Sequence, residues 1–170
     1  MDSMSTSAES PTPFNSPLET GVRTLAILVA CHPRARDLSR LVQYDYLTVH
    51  SADADGPPSL HPPLPLRSGE LLVRRGLIED GLQLMMSRSL VKREVHSTGI
   101  LYSAHDSASA FSDNLQSSYI ASVRERARWV ADTFDSLADA ELDAIVRRFF
   151  ESWTIEFEPM QTWLQLDGPT

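Results

Sequence analysis

Five side chains able to bind a metal or move a proton fall close together in the chain: Asp45, His50, Asp53, Asp55 and His61. Their spacing matches neither HxxxH nor HExxH, the patterns that set two imidazoles on one helical face toward a zinc ion. The segment that holds most of them, Ser51 to Leu66, contains five of the eleven prolines, so it is neither a regular helix nor a central strand. It reads as an ordered Ω-type excursion rather than a metal site. Asp45 poses a separate problem. It falls on or beside the apolar stripe of a helix, between Tyr44 and Tyr46. An acid placed there needs a hydrogen-bond or charge partner, and an arginine or a backbone amine of the same domain is the expected one.

Other chemistries find little support. Nucleophilic catalysis needs a nucleophile beside a base, with donors for the oxyanion. The chain has no GxSxG, P-loop, GxGxxG or CxxC, so no enzyme activity, metal or cofactor is expected. Cys31 lies in an apolar helical pattern and reads as a small buried hydrophobe. As the lone cysteine it forms no internal disulfide and suits a reducing cytoplasm. Two sets point to binding. Arg88, Lys92 and Arg93, with His96 nearby, could touch phosphates from a helix end and a hairpin. Phe149, Phe150, Trp153, Phe157 and Trp163 form a dense aromatic group; some would pack in the core and others could anchor a partner.

The elements that must position these residues follow from periodicity. Ser16-Pro17-Leu18-Glu19 starts a helix with a cap, a first-position proline and a capping-box acid. Its stripe of Leu18, Val22, Leu25, Leu28 and Val29 runs to about His32, before Pro33. Asp37 starts a second helix to about His50. Between Ser68 and Arg88, Gly76 and Gly81 weaken one continuous helix by about 1 kcal/mol each. Two helices are therefore expected, Gly69 to Arg75 and then Ile78 or Glu79 to Arg88. Ser89 occupies the place where a left-handed glycine often ends a helix. Val91 to Ala104 alternates about a turn at Ser97-Thr98-Gly99, a β-hairpin. Ser112 or Asp113 should cap a long helix to about Leu137, with Arg124, Arg126 and Arg128 over its outer face. Asp139 should begin a last helix to about Trp153, with a short strand over 154–157.

Helix, short break and hairpin close a winged-helix unit, so the expected fold is mainly α: a winged-helix-like domain over 14–110 with a two-stranded wing. Helices within 111–158 would pack on it as a C-terminal extension, with a disordered tail over 1–13 and a loose one over 159–170. The N-terminus lacks the basic region of a signal peptide, and no apolar run approaches a membrane span. The net charge of −8 is uneven: residues from Asp132 onward carry nine acids and two arginines, while 67–96 carry six bases and four acids. A dedicated DNA binder would show a stronger basic footprint. Lys92 is the one lysine among fifteen bases, a usage that suggests a GC-rich bacterial genome.

Several separated motifs then agree in order. They are Pro13-Phe14-Asn15-Ser16-Pro17-Leu18-Glu19, Leu41-Val42-Gln43-Tyr44-Asp45-Tyr46-Leu47, Val49-His50-Ser51, Gly56-Pro57-Pro58-Ser59-Leu60-His61-Pro62 and Arg67-Ser68-Gly69-Glu70-Leu71-Leu72-Val73-Arg74-Arg75. Over about Pro13 to Phe134 the chain resembles the middle-component family of bacterial ABC-three-component systems, which look like relatives of Lamassu-type anti-phage defence. The resemblance implies a non-catalytic adaptor that binds an SMC-like ABC ATPase and couples it to an effector subunit, often a nuclease. It also implies that Asp45, His50 and His61 order a family-specific surface. DNA would then be met through the assembled complex. The rival expectation is a winged-helix transcription regulator that binds duplex alone.

Overall fold

A computed structural model of the protein describes residues 16–63 and 68–149. The expectations for 1–13, the strand over 154–157 and the tail over 159–170 lie outside the described residues. Helix α1 (Pro17–Cys31) starts as its sequence predicts. The Ser16 hydroxyl accepts from the Glu19 amide at 3.2 Å, with Pro17 in the first turn. From Thr20 to Leu28 every residue is buried, which makes α1 the axis of the domain. It packs most extensively on α3 (Ser68–Ser87) and α5 (Ser118–Phe134), and also touches α2 (Leu38–Val49), α4 (Ala108–Asp113) and the hairpin. Asp37 caps α2 (Leu38–Val49) by accepting from the Arg40 amide at 2.8 Å.

Helix α3 (Ser68–Ser87) is a single element, not the two helices expected from its glycines. Gly81 lies where α1 crosses: a Cβ there would sit 2.7 Å from the Gly21 nitrogen. The backbones therefore meet directly, and the close packing offsets the propensity cost of about 1 kcal/mol. Gly76 has no neighbour within 4 Å in place of a side chain, and no contact explains it. The end of α3 follows the Schellman pattern. Leu90 N–H donates to the Met85 carbonyl and Ser89 N–H to that of Met86, both at 3.0 Å. Ser89 takes the left-handed conformation, φ 58°, as its position suggests.

Strands β1 (Val91–His96) and β2 (Gly99–Ala104) pair antiparallel, from Val91 with Ala104 to His96 with Gly99. The turn is thus Ser97-Thr98, with Gly99 already paired. Only the root of the hairpin is buried; Lys92 to His96 are all exposed. The free edge of β2 is held by the α1–α2 connection, where Arg36 and Tyr102 exchange two backbone hydrogen bonds of 2.8 Å.

The long helix expected from Ser112 or Asp113 to about Leu137 begins later and ends earlier, over Ser118–Phe134, and a separate short helix precedes it. Helix α4 (Ala108–Asp113) ends, and Ser117 caps α5 (Ser118–Phe134) by accepting from Ile120 N–H at 3.1 Å. Arg124 makes the break possible by reaching back to the Ser112 and Leu115 carbonyls, at 2.5 and 2.9 Å. The inward face of α5, with Val123, Ala127, Val130 and Phe134, is buried, and Tyr119 is partly so. A last helix, α6, covers 139–149 of the described residues. It runs beside α2, tied by Arg40 to Asp139 at 2.7 Å and Gln43 to Asp143 at 2.6 Å. Leu142 and Val146 join the same core as Leu25 and Leu41. The architecture is mainly helical with a two-stranded hairpin wing, as predicted.

Candidate functional site

Two buried carboxylates organise the polar chemistry. Asp45, on α2, has no exposed surface. From α1, Arg23 Nε donates to Oδ1 at 2.9 Å and Nη2 to Oδ2 at 3.2 Å. From α3, Arg74 donates to Oδ2 as well. Burial alone would raise this carboxyl, but the two guanidiniums prevail and hold it at about 2. A carboxylate so paired takes no proton near neutrality. Its work is to join three helices, and the arginine partner expected from sequence is in fact two.

The proline-rich loop closes over this centre. Tyr46 donates to Asp53 Oδ2 at 2.5 Å, in the short 3-10 turn Ser51–Ala54. His61 Nε2 and the Tyr119 hydroxyl are hydrogen-bonded at 2.6 Å, and the His50 and His61 rings meet edge to face at 6.1 Å. Burial and then the nearby arginines push both imidazoles down to about 4, so both are neutral at pH 7. Ser51 Oγ donates to the Pro57 carbonyl at 2.8 Å, and Arg126 donates twice to that of Pro58. The Trp129 ring fills the space where a Gly56 side chain would stand. Over the described residues 51–63 the loop is therefore an ordered excursion, and Asp45, His50 and His61 lie around one centre. Among the described residues no three His, Cys, Asp or Glu side chains converge in a way that could hold a metal ion.

The second centre was not foreseen. Asp135 follows α5 and is 5% exposed. Arg36 Nε and the Tyr44 hydroxyl donate to its Oδ1 at 2.7 and 2.8 Å, and Arg34 Nε lies 2.8 Å from Oδ2. Burial opposes ionisation, yet the hydrogen bonds from Arg36 and Tyr44 and the nearby arginines lower its pKa. Arg40 extends the network, donating to the Tyr44 hydroxyl at 2.9 Å and to the Phe134 and Leu137 carbonyls at 3.1 and 2.6 Å. Cys31 borders it, fully buried as expected. Burial and the Asp135 charge push its thiol up to about 12, the opposite of a reactive cysteine.

The outward features lie elsewhere. Arg88, Lys92 and Arg93 are all exposed, between the end of α3 and β1. Beyond them Val95 and Ile100 pair across the hairpin, 76% and 37% exposed. Phe149 is half-buried, its ring 6.4 Å from that of Tyr46; Phe150, Trp153 and Trp163 lie outside the described residues. The residues that sequence reasoning missed are Arg23, Arg74, Tyr119 and Asp135. Arg23 alone left a trace, as a charge amid the most apolar helix.

What these parts define is a small helical domain with a hairpin wing, its ionic chemistry turned inward. The chain belongs to the family of ABC-three component (ABC-3C) system Middle Component 2, whose family model matches residues 13–156. No curated protein and no solved structure matches it. Among the described residues no helix is long and apolar enough to cross a membrane.

Proposed function

We propose that this middle component is a non-catalytic adaptor of the bacterial cytoplasm. It binds an SMC-like ABC ATPase and couples it to an effector subunit of nuclease type, in an anti-phage complex of Lamassu kind. The family membership over 13–156 carries the reading. The fold agrees with it: Asp45, Asp53, His61 and Asp135 each bond within the domain, while the wing holds apolar Val95 and Ile100 toward solvent. In this reading the wing is a winged-helix docking element, and Arg88, Lys92 and Arg93 meet DNA once the complex has formed.

Tagged protein co-expressed with the ATPase and effector encoded beside it should bring down the ATPase. Val95→Asp should reduce that recovery without changing the unfolding midpoint. Isolation as a lone homodimer would overturn the reading. The exposure of Arg88, Lys92 and Arg93 favours one alternative, a winged-helix transcription regulator. Nanomolar binding of duplex by the free protein, steeply weakened by salt, would establish that alternative instead.

A further inference from the structure

The wing has two outer edges, and the structure occupies only one. On the edge of β2, Arg36 and Tyr102 exchange two backbone hydrogen bonds of 2.8 Å. Tyr102 therefore points its N–H and C=O away from β1, and its pairing with Arg93 is of the non-hydrogen-bonded kind. Backbone polarity alternates along a strand. Arg93 and Val95 thus turn their own N–H and C=O outward, on the edge of β1, while Glu94 turns inward to Leu101. Arg93 and Val95 are both exposed. Among the described residues no backbone group meets them from outside the hairpin.

Such an edge is a template for an added strand, and the side chains select which strand fits. Arg93 and Val95 stand on one face of the hairpin. Val95 pairs there with Ile100, the two being 76% and 37% exposed. Among the described residues no ion pair holds Arg93. The adjacent acid, Glu94, belongs to the opposite face and lies 3.1 Å from His96. Arg88 and Lys92 add exposed positive charge at the root of the wing. Two copies of β1 laid edge to edge would crowd these bases, which opposes self-pairing. A strand with an acid and, two positions along, an apolar residue would instead meet Arg93 and Val95 on one face.

We propose that the free edge of β1 receives an extended segment of the ATPase partner, bonded to the Arg93 and Val95 backbones. Its carboxylate meets Arg93, and its apolar side chain covers Val95 and Ile100. The inference rests on the adaptor reading and specifies how the wing docks. It assigns Arg93 to the partner protein and leaves Arg88 and Lys92 for DNA.

The test uses the full chain co-expressed and purified with the ATPase encoded beside it. Amide exchange, resolved by residue, should slow about tenfold at Arg93 and Val95 when the complex forms, and far less at Glu94. Val95→Ala keeps the edge amide and should lower ATPase recovery about threefold. Val95→Pro removes that amide and should lower recovery roughly tenfold or more, with exchange at Tyr102 unchanged. Arg93→Glu should lower it about tenfold. A complex in which Arg93 and Val95 still exchange freely would overturn this inference and leave the adaptor reading standing. Equal losses from Val95→Ala and Val95→Pro would also overturn it, because the edge amide would then contribute nothing. Protection of the same amides by duplex DNA alone would overturn it by assigning the edge to nucleic acid. Failure to recover any ATPase would remove the adaptor reading and this inference together.

Discussion

Asp45 and Asp135 are the same side chain in the same company, each held by two arginines and bordered by tyrosine, yet they do different work. Asp45 is sealed among α1, α2 and α3, with both oxygens bonded. Asp135 sits where α5 gives way to α6. Through Arg36 it fixes the segment whose backbone also pairs with the hairpin at Tyr102. One of its arginines, Arg34, is 53% exposed. The first centre sets how the helices cross, and the second clips the root of the wing to the end of the bundle. Depth decides the energetics: a buried ion pair costs most when half of it is removed, whereas an exposed one is replaced by water at little cost.

Asp45→Ala should therefore be the most damaging change. It removes the carboxylate from Arg23, 2% exposed, and should cost about 3–5 kcal/mol in urea unfolding. The double replacement Arg23→Met with Asp45→Leu should recover most of that loss. If the double variant is as unstable as Asp45→Ala, the pair does more than compensate its own burial.

Acid should separate the centres next. His50 and His61 titrate near 4 when folded and near 6.5 when unfolded. Their folded values are depressed, so the stability is fully present above about 6.5 and is lost as pH falls toward 4. The slope for His50, 4% exposed, should approach about 1.4 kcal/mol per pH unit, with a smaller share from His61. The contribution of Asp45, depressed to about 2, is kept until pH falls below about 4. A urea midpoint flat between pH 7 and 5 would show that the histidines do not titrate in this way.

Asp135→Asn keeps the shape and removes the charge, and should cost about 1–3 kcal/mol. Amide exchange should rise first at Tyr102 and along the hairpin, leaving α1 protected. Arg34→Ala should be the mildest, below about 1 kcal/mol and weaker still in high salt. An effect of Arg34→Ala as large as that of Asp135→Asn would erase the distinction by depth.

The two centres also differ in how far the sequence announces them. Asp45 can be recognised as needing a partner, because an acid on an apolar helical stripe breaks the pattern. Its partners, 22 and 29 residues away on other helices, cannot be picked from fifteen basic residues by spacing. Asp135 breaks no pattern: it follows α5 in a polar turn, and its partner Arg36 is 99 residues away. The hairpin was readable because it is local, a short break followed by period-two alternation. The two-helix expectation for α3 failed for the opposite reason. The use of Gly81 is visible only once α1 lies against it.

Local order was thus settled by the chain alone. Caps at Ser16 and Asp37, the left-handed Ser89 and the hairpin all arise from neighbours within a few residues, where steric preference and hydrogen-bond reach act directly. Tertiary structure decided the rest: which arginines neutralise which acids, which glycine lets two helices touch, and that His50 and His61 meet beneath one loop. The reason is that burial makes a polar group costly without naming its partner. The partner is chosen by three-dimensional proximity, which no linear spacing encodes.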